Sequence, residues 1–136
     1  MSNENKTTVL KVLIKRVHSL KSGGKINEAI RTAKTAVDTA RRLVQTNPDQ
    51  TSNLITALEL YGDLLRESDN YADAELIYID ALEKTQSADP GNEQLARIKS
   101  SLASVYDFNR SPEPAIALYQ EAIELFAGLV PPSELD

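Results

Sequence analysis

Internal repetition restricts the fold of this chain more tightly than any composition could. Across residues 58–81 two helical stripes meet at a tight turn, with Leu58, Tyr61 and Leu65 on the first and Ala74, Ile77, Tyr78 and Ala81 on the second. Ser68, Asp69 and Asn70 supply the turn between them. Gly62 and Ala74 fall where two antiparallel helices cross, and a small side chain there lets the backbones approach. Ala103, Ala115, Tyr119 and Ala122 then repeat Gly62, Ala74, Tyr78 and Ala81 at a constant offset of 41. A fainter copy lies 45 residues upstream, with Leu13, Leu20, Gly24, Ile26, Ala29, Ala33 and Ala36 in the same order. The pattern predicts three helix–turn–helix units, and so an all-α chain.

The turn and cap residues place six helices. The first is expected from Thr7 or Thr8 to about Ser22, burying Val9, Leu13, Val17 and Leu20, after a disordered start over residues 1–6. Gly23 and Gly24 end it, because glycine tolerates a left-handed cap. Asn27 should cap the second helix, about Glu28 to Thr46, whose stripe of Ala29, Ala33, Ala36, Ala40 and Leu43/Val44 is thin enough to demand close packing. Asp49 or Thr51 should cap a third helix carrying Leu54, Leu58, Tyr61 and Leu65, and a fourth runs from near Tyr71 to near Gln86. The fifth, from about Asn92 to Phe108, uses Leu95, Ile98, Leu102 and Val105. Ser111 can cap the sixth, Pro112 fits its first turn, and it should end near Ala127-Gly128. A terminal unit has no neighbour for its outer face. The outer side of the sixth helix, with Ile116, Leu118 and Leu125, is therefore expected to be covered by the tail around Leu129-Val130 or by a second molecule.

Composition narrows the chemistry. At 136 residues the chain reads as one domain, and with aromatics at 5% its core must be Leu, Ile, Val and Ala. With no cysteine there is no disulfide, no thiolate metal ligand and no thiol nucleophile. No apolar run approaches a membrane span, so a cytoplasmic setting is expected. Gly23-Gly24-Lys25 is not a phosphate loop, since Ser19 stands where its first glycine belongs and Ile26 where a magnesium-binding hydroxyl belongs. His18 has no evident nucleophile or acid beside it, and Glu59 and Asp63 share a helix face without a second ligand cluster. The acidic residues near Asp69, Asp73 and Asp89 miss the calcium-loop spacing. No catalytic, cofactor or metal residue is expected, and the chain reads as a non-enzyme. Nucleic acid is disfavoured too, because no aromatic precedes Tyr61 in the basic part.

The net charge of −5 conceals an asymmetry. Residues 1–48 carry ten Lys/Arg against three Asp/Glu, and residues 49–136 carry five against seventeen. Such a dipole steers association with a charged partner.

The order of a large apolar residue, a small residue, an aromatic and then A-x-x-x-Y-x-x-A, met by Leu58, Gly62, Leu65, Ala74, Tyr78 and Ala81, resembles the tetratricopeptide repeat family. Departures are local: Lys99 replaces a large apolar residue, Pro112 a tyrosine and Ala33 an aromatic. The long period and the Asp89-Pro90-Gly91-Asn92 linker are more similar to the kinesin light chain subtype. The resemblance implies a short right-handed superhelix of three repeats, about residues 9–46, 50–86 and 92–128, between tails at 1–6 and 129–136.

It also implies a groove lined by the first helix of each unit. The positions that carry over are Lys11, Ile14, His18 and Lys21, then Thr56, Glu59, Asp63 and Arg66, then Arg97, Ser100, Ser104 and Asp107, with Lys15 beside the row. The carboxylate clamp of chaperone-cofactor members would need suitable residues at Ile14, His18, Leu60, Arg97 and Ser101, and only Arg97 qualifies. The expected role is a protein-binding scaffold, monomeric or weakly self-associating. Short bacterial chains of the subtype accompany bacterial tubulin and bind its filaments. The resemblance therefore implies an acidic tubulin surface as partner for the basic first unit, through Lys11, Lys15, Lys21, Arg31, Lys34, Arg41 and Arg42. The alternative is an adaptor or chaperone that holds an extended peptide in the groove.

Overall fold

The structure is a computed structural model that describes residues 3–129. Six α-helices follow one another: α1 (Asn3–Ser22), α2 (Ile26–Thr46), α3 (Thr51–Glu67), α4 (Tyr71–Lys84), α5 (Asn92–Phe108) and α6 (Pro112–Ala127). They pack as three hairpins, α1 on α2, α3 on α4 and α5 on α6, and the hairpins stack in order through α2 on α3 and α4 on α5. No described residue lies in a strand.

The three hairpin turns are the same turn. Gly24, Asp69 and Arg110 occupy corresponding positions, and each takes a left-handed φ, of 76°, 67° and 60°. In each turn the next residue's N–H donates back to the carbonyl five positions earlier: Lys25 to Leu20, Asn70 to Leu65 and Ser111 to Tyr106, all at 2.8 Å. This is the double closure that satisfies orphan carbonyls at a helix end. Identical backbone geometry at 45- and 41-residue intervals is the structural form of the repetition in the sequence.

Within the second hairpin Gly62 lies against Tyr78. A Cβ built on Gly62 would sit 2.7 Å from Tyr78 Cε1, so only glycine fits beneath that ring as it stands. The first hairpin solves the same crossing with the sizes exchanged. Val17 stands at the Gly62 position and Ala33 at the Tyr78 position, and both are fully buried in one cluster with Leu20, Ala29 and Leu64. The main core runs through the stack, joining Leu10, Val37, Ala40 and Leu43 to Leu54, Leu58, Leu65, Tyr78, Ile98 and Val105.

Several expectations need correction. α1 begins at Asn3 and not at Thr7 or Thr8; the polar start contains no helix breaker to stop it. Leu10 is the buried residue near that end, while Val9 is exposed. Val9, Leu10, Val12, Leu13 and Ile14 are all apolar, so a helical stripe can be drawn through them in more than one phase. Asn27 is not a cap, because α2 starts at Ile26 behind Lys25. Gln50 precedes α3 without a side-chain cap; the Thr51 hydroxyl donates to Pro48 O at 2.7 Å instead. Ser111 precedes α6 but its side chain makes no capping bond. α4 ends at Lys84, two residues before the expected end. On α6, Leu118 packs on the core and Leu125 is half-buried, whereas Ile116, Ile123 and Phe126, and Leu129 just after the helix, are exposed. The expected cover from Val130 onward lies outside the described residues.

Candidate groove and basic face

α1, α3 and α5 present a common face. Between α1 and α3 lies a cleft of about 220 Å³ lined by Ile14, His18, Thr56, Glu59, Leu60 and Asp63. These positions come together because α1 and α3 carry the same register, one hairpin apart. α5 joins through Arg97, whose Nε lies 3.0 Å from Glu59 Oε2, and through Gln94, whose amide donates to Glu59 Oε1 at 3.1 Å. Glu59 is 9% exposed, so its carboxylate is held by α5 rather than offered to solvent.

Asp63 is committed in the same way. It accepts a hydrogen bond from the Tyr78 hydroxyl at 2.5 Å, and Arg66 stands 3.7 Å away while its Nε donates to the Tyr78 oxygen at 3.2 Å. Burial pushes the Asp63 carboxyl above the usual carboxylate range; the bond from Tyr78 pulls it down without overcoming that effect, and Glu59 adds to the rise. The Tyr78 hydroxyl is raised as well, by burial first and then by Asp63.

The cations divide into two groups. Lys21 reaches across to Glu67 at 3.1 Å, Arg41 to Asp80 at 2.6 Å, Arg66 to Asp63 and Arg97 to Glu59 and Glu93. Lys11 and Lys15 on α1, by contrast, are exposed and join no ion pair among the described residues. His18 is exposed at the mouth of the cleft, and Ser104 is half-buried on α5. Of the basic residues on α2, Arg31, Lys34 and Arg42 are also exposed.

Sequence reasoning missed two groups in this network. Gln94 lies one helical turn before Arg97, a spacing that could have flagged it. Tyr78 was read only as a core aromatic, although a buried phenol requires a polar partner and therefore points to one. No three His, Cys, Asp or Glu side chains gather among the described residues, and no described helix is long and apolar enough to cross a membrane.

A model of the tetratricopeptide repeat family matches residues 53–127, more than half of the chain. Among solved structures, the crystal structure of BtubC (BKLC) from P. vanneervenii is similar, at 27% identity with a TM-score of 0.58. The likeness covers 76% of this chain and 41% of that one, so the chain spans about two fifths of its length. No curated protein matches the sequence.

Proposed function

Since that family model accounts for more than half of its length, the chain belongs to the tetratricopeptide repeat family, and we propose that it is a non-enzymatic scaffold binding a bacterial tubulin filament. The likeness to BtubC (BKLC) agrees with the kinesin light chain-like subtype drawn from the sequence. The observation that carries the choice of partner is the division of the charges. The acids of the groove, Glu59 and Asp63, are satisfied from within the chain, whereas Lys11 and Lys15 are exposed and join no ion pair among the described residues. An acidic protein surface meeting α1 finds cations that give up no internal bond on binding. Nine residues form the proposed interaction face: Lys11, Lys15, His18, Lys21, Glu59, Asp63, Arg66, Arg97 and Ser104. Within it, Lys11 and Lys15 make the contact, and the residues paired across helices hold the face in shape.

The cleft beside His18 favours a second reading, an adaptor that grips an extended peptide between α1 and α3. Co-sedimentation with polymerised bacterial tubulin across a salt series separates the two. Saturable pelleting that weakens as salt rises is the expected result, because exposed charge pairs are screened. Absence of pelleting at every salt concentration would remove the filament reading and leave the peptide groove.

A further inference from the structure

The outer faces of α1 and α6 carry the residues that, at the same register, form the seams between hairpins inside the stack. Inside the molecule, α4 packs on α5 with Leu82 of α4 and Ala88 of the following linker packed against the core, and α2 packs on α3 with Val37, Ala40 and Leu43 buried. At the same register stand Ile123 and Phe126 of α6 and Leu129 just beyond its end, and nothing in the described structure covers them: Ile123 is 65% exposed. The receiving stripe of α3 begins with Leu54 and Ala57, both buried, and that of α5 with Leu95 and Ile98. On α1 those positions are Val9 and Val12, and Val12 is 59% exposed. A cavity of about 310 Å³, lined by Lys6, Val9, Thr39 and Arg42, opens beside them.

Charge identifies the occupant. α6 carries three glutamates and no Lys or Arg, whereas α1 carries five Lys/Arg and one glutamate. One pair is specified by register. In the α2/α3 seam Tyr61 lies within reach of Asp38 of α2: burial, then the charge of Asp73 on α4, then that of Asp38 raise its hydroxyl. Arg16 stands on α1 where Tyr61 stands on α3, and Glu124 stands on α6 where Asp38 stands on α2. Arg16 and Glu124 are both exposed, and neither joins an ion pair among the described residues.

We propose that the chain associates head to tail with copies of itself, α6 of one molecule seating on α1 of the next and pairing Glu124 with Arg16. The contact is heterologous, so each molecule keeps an open end and the assembly grows as a linear array. The seam is distinct from the exposed Lys11 and Lys15 that serve the proposed filament contact, and the test needs no filament.

Sedimentation equilibrium of the full chain over a wide concentration range at low salt reads it. The expected result is a mass average that rises without a dimer plateau. Arg16→Glu and Glu124→Arg should each weaken association about tenfold, roughly 1.4 kcal/mol, and the doubly reversed chain should recover it. An equimolar mixture of Val12→Glu and Ile123→Glu, each blocked at one end, should stop at a dimer. Monomer at all concentrations overturns the proposal. So does association that survives Val12→Glu as a dimer of that variant alone, because α6 would then be meeting α6. A chain ending at Leu129 that associates while the full chain does not overturns it too, by showing that residues 130–136 are the cover. All the substituted positions are exposed, so unchanged helicity by circular dichroism confirms that folding is not the cause.

Discussion

At the scale of single residues, stability turns on side chains whose fit or charge is set by a few neighbours. Gly62→Ala would put a methyl group 2.7 Å from a Tyr78 ring carbon that has nowhere to retreat. The helix gains about 1 kcal/mol by losing a glycine and loses roughly 2 kcal/mol to overpacking. A net destabilisation of about 1 kcal/mol in denaturant unfolding is expected, and a net gain would contradict the crossing described here. Arg110 is the opposite case, a left-handed residue whose counterpart Gly24 is glycine. Arg110→Gly should stabilise the chain by about 1 kcal/mol by relieving the left-handed strain, read as a higher denaturant midpoint. Two aspartates should respond oppositely to acid. Asp63 has a raised pKa, so its charge opposes folding above that value, and stability from this site increases as pH falls through it. Asp63→Asn keeps an acceptor for Tyr78 and should hold or raise stability at pH 7. For Asp80 burial raises the pKa, but the hydrogen bonds from Arg41 and Lys84 outweigh it and leave the pKa lowered. Its stabilisation is complete above the ordinary carboxylate pKa and is lost as pH falls through the lowered one, so Asp80→Asn should cost about 1 kcal/mol at neutral pH and much less in acid. The small residue at Gly62 was legible in the sequence. The Tyr78 partner of Asp63 and the Arg41 partner of Asp80 were not, since tertiary packing alone brings them in, within the α3/α4 hairpin for Tyr78 and from the neighbouring hairpin for Arg41.

Among helices, the sequence announced the hairpins through their spacing, and the structure adds how two hairpins reach one crossing with opposite choices of size. Val17 over Ala33 replaces Gly62 under Tyr78. Ala33→Tyr alone should therefore cost about 3 kcal/mol or more, as a large group forced into a full site does. Adding Val17→Gly should return part of that loss. A double-mutant cycle measures the coupling, and strict additivity would show that the two positions do not share the space. The phase of α1 was the weak point of the sequence reading for a related reason. Val9 and Val12 belong to a stripe that in α3 and α5 faces the hairpin before, whereas among the described residues Val9 and Val12 of α1 are exposed, so their apolar character alone does not mark them as interior. Caps were misread because the hairpin turns close with backbone bonds to Leu20, Leu65 and Tyr106, leaving side-chain caps at Asn27 and Ser111 without a task.

For the whole molecule, the charge asymmetry was plain in the sequence, but its usable part was not. Lys21 and Arg41 looked equivalent to Lys11 and Lys15 until packing paired them with Glu67 and Asp80, 46 and 39 residues away. Those bridges tie like helices together, α1 to α3 and α2 to α4, and leave Lys11 and Lys15 as the exposed cations of α1's common face. A repeat fold does not by itself name a function, so the partner must be read from the surface that remains unoccupied. The most direct measurement compares two variants side by side in pelleting with polymerised bacterial tubulin: Lys11→Glu/Lys15→Glu against Arg97→Ala. The account predicts that the double reversal weakens binding about tenfold or more, roughly 1.4 kcal/mol, while Arg97→Ala, which frees a groove acid, stays within about twofold of the unaltered chain. Binding that is lost with Arg97→Ala and unaffected by reversing both lysines would contradict it, and would place the partner in the groove.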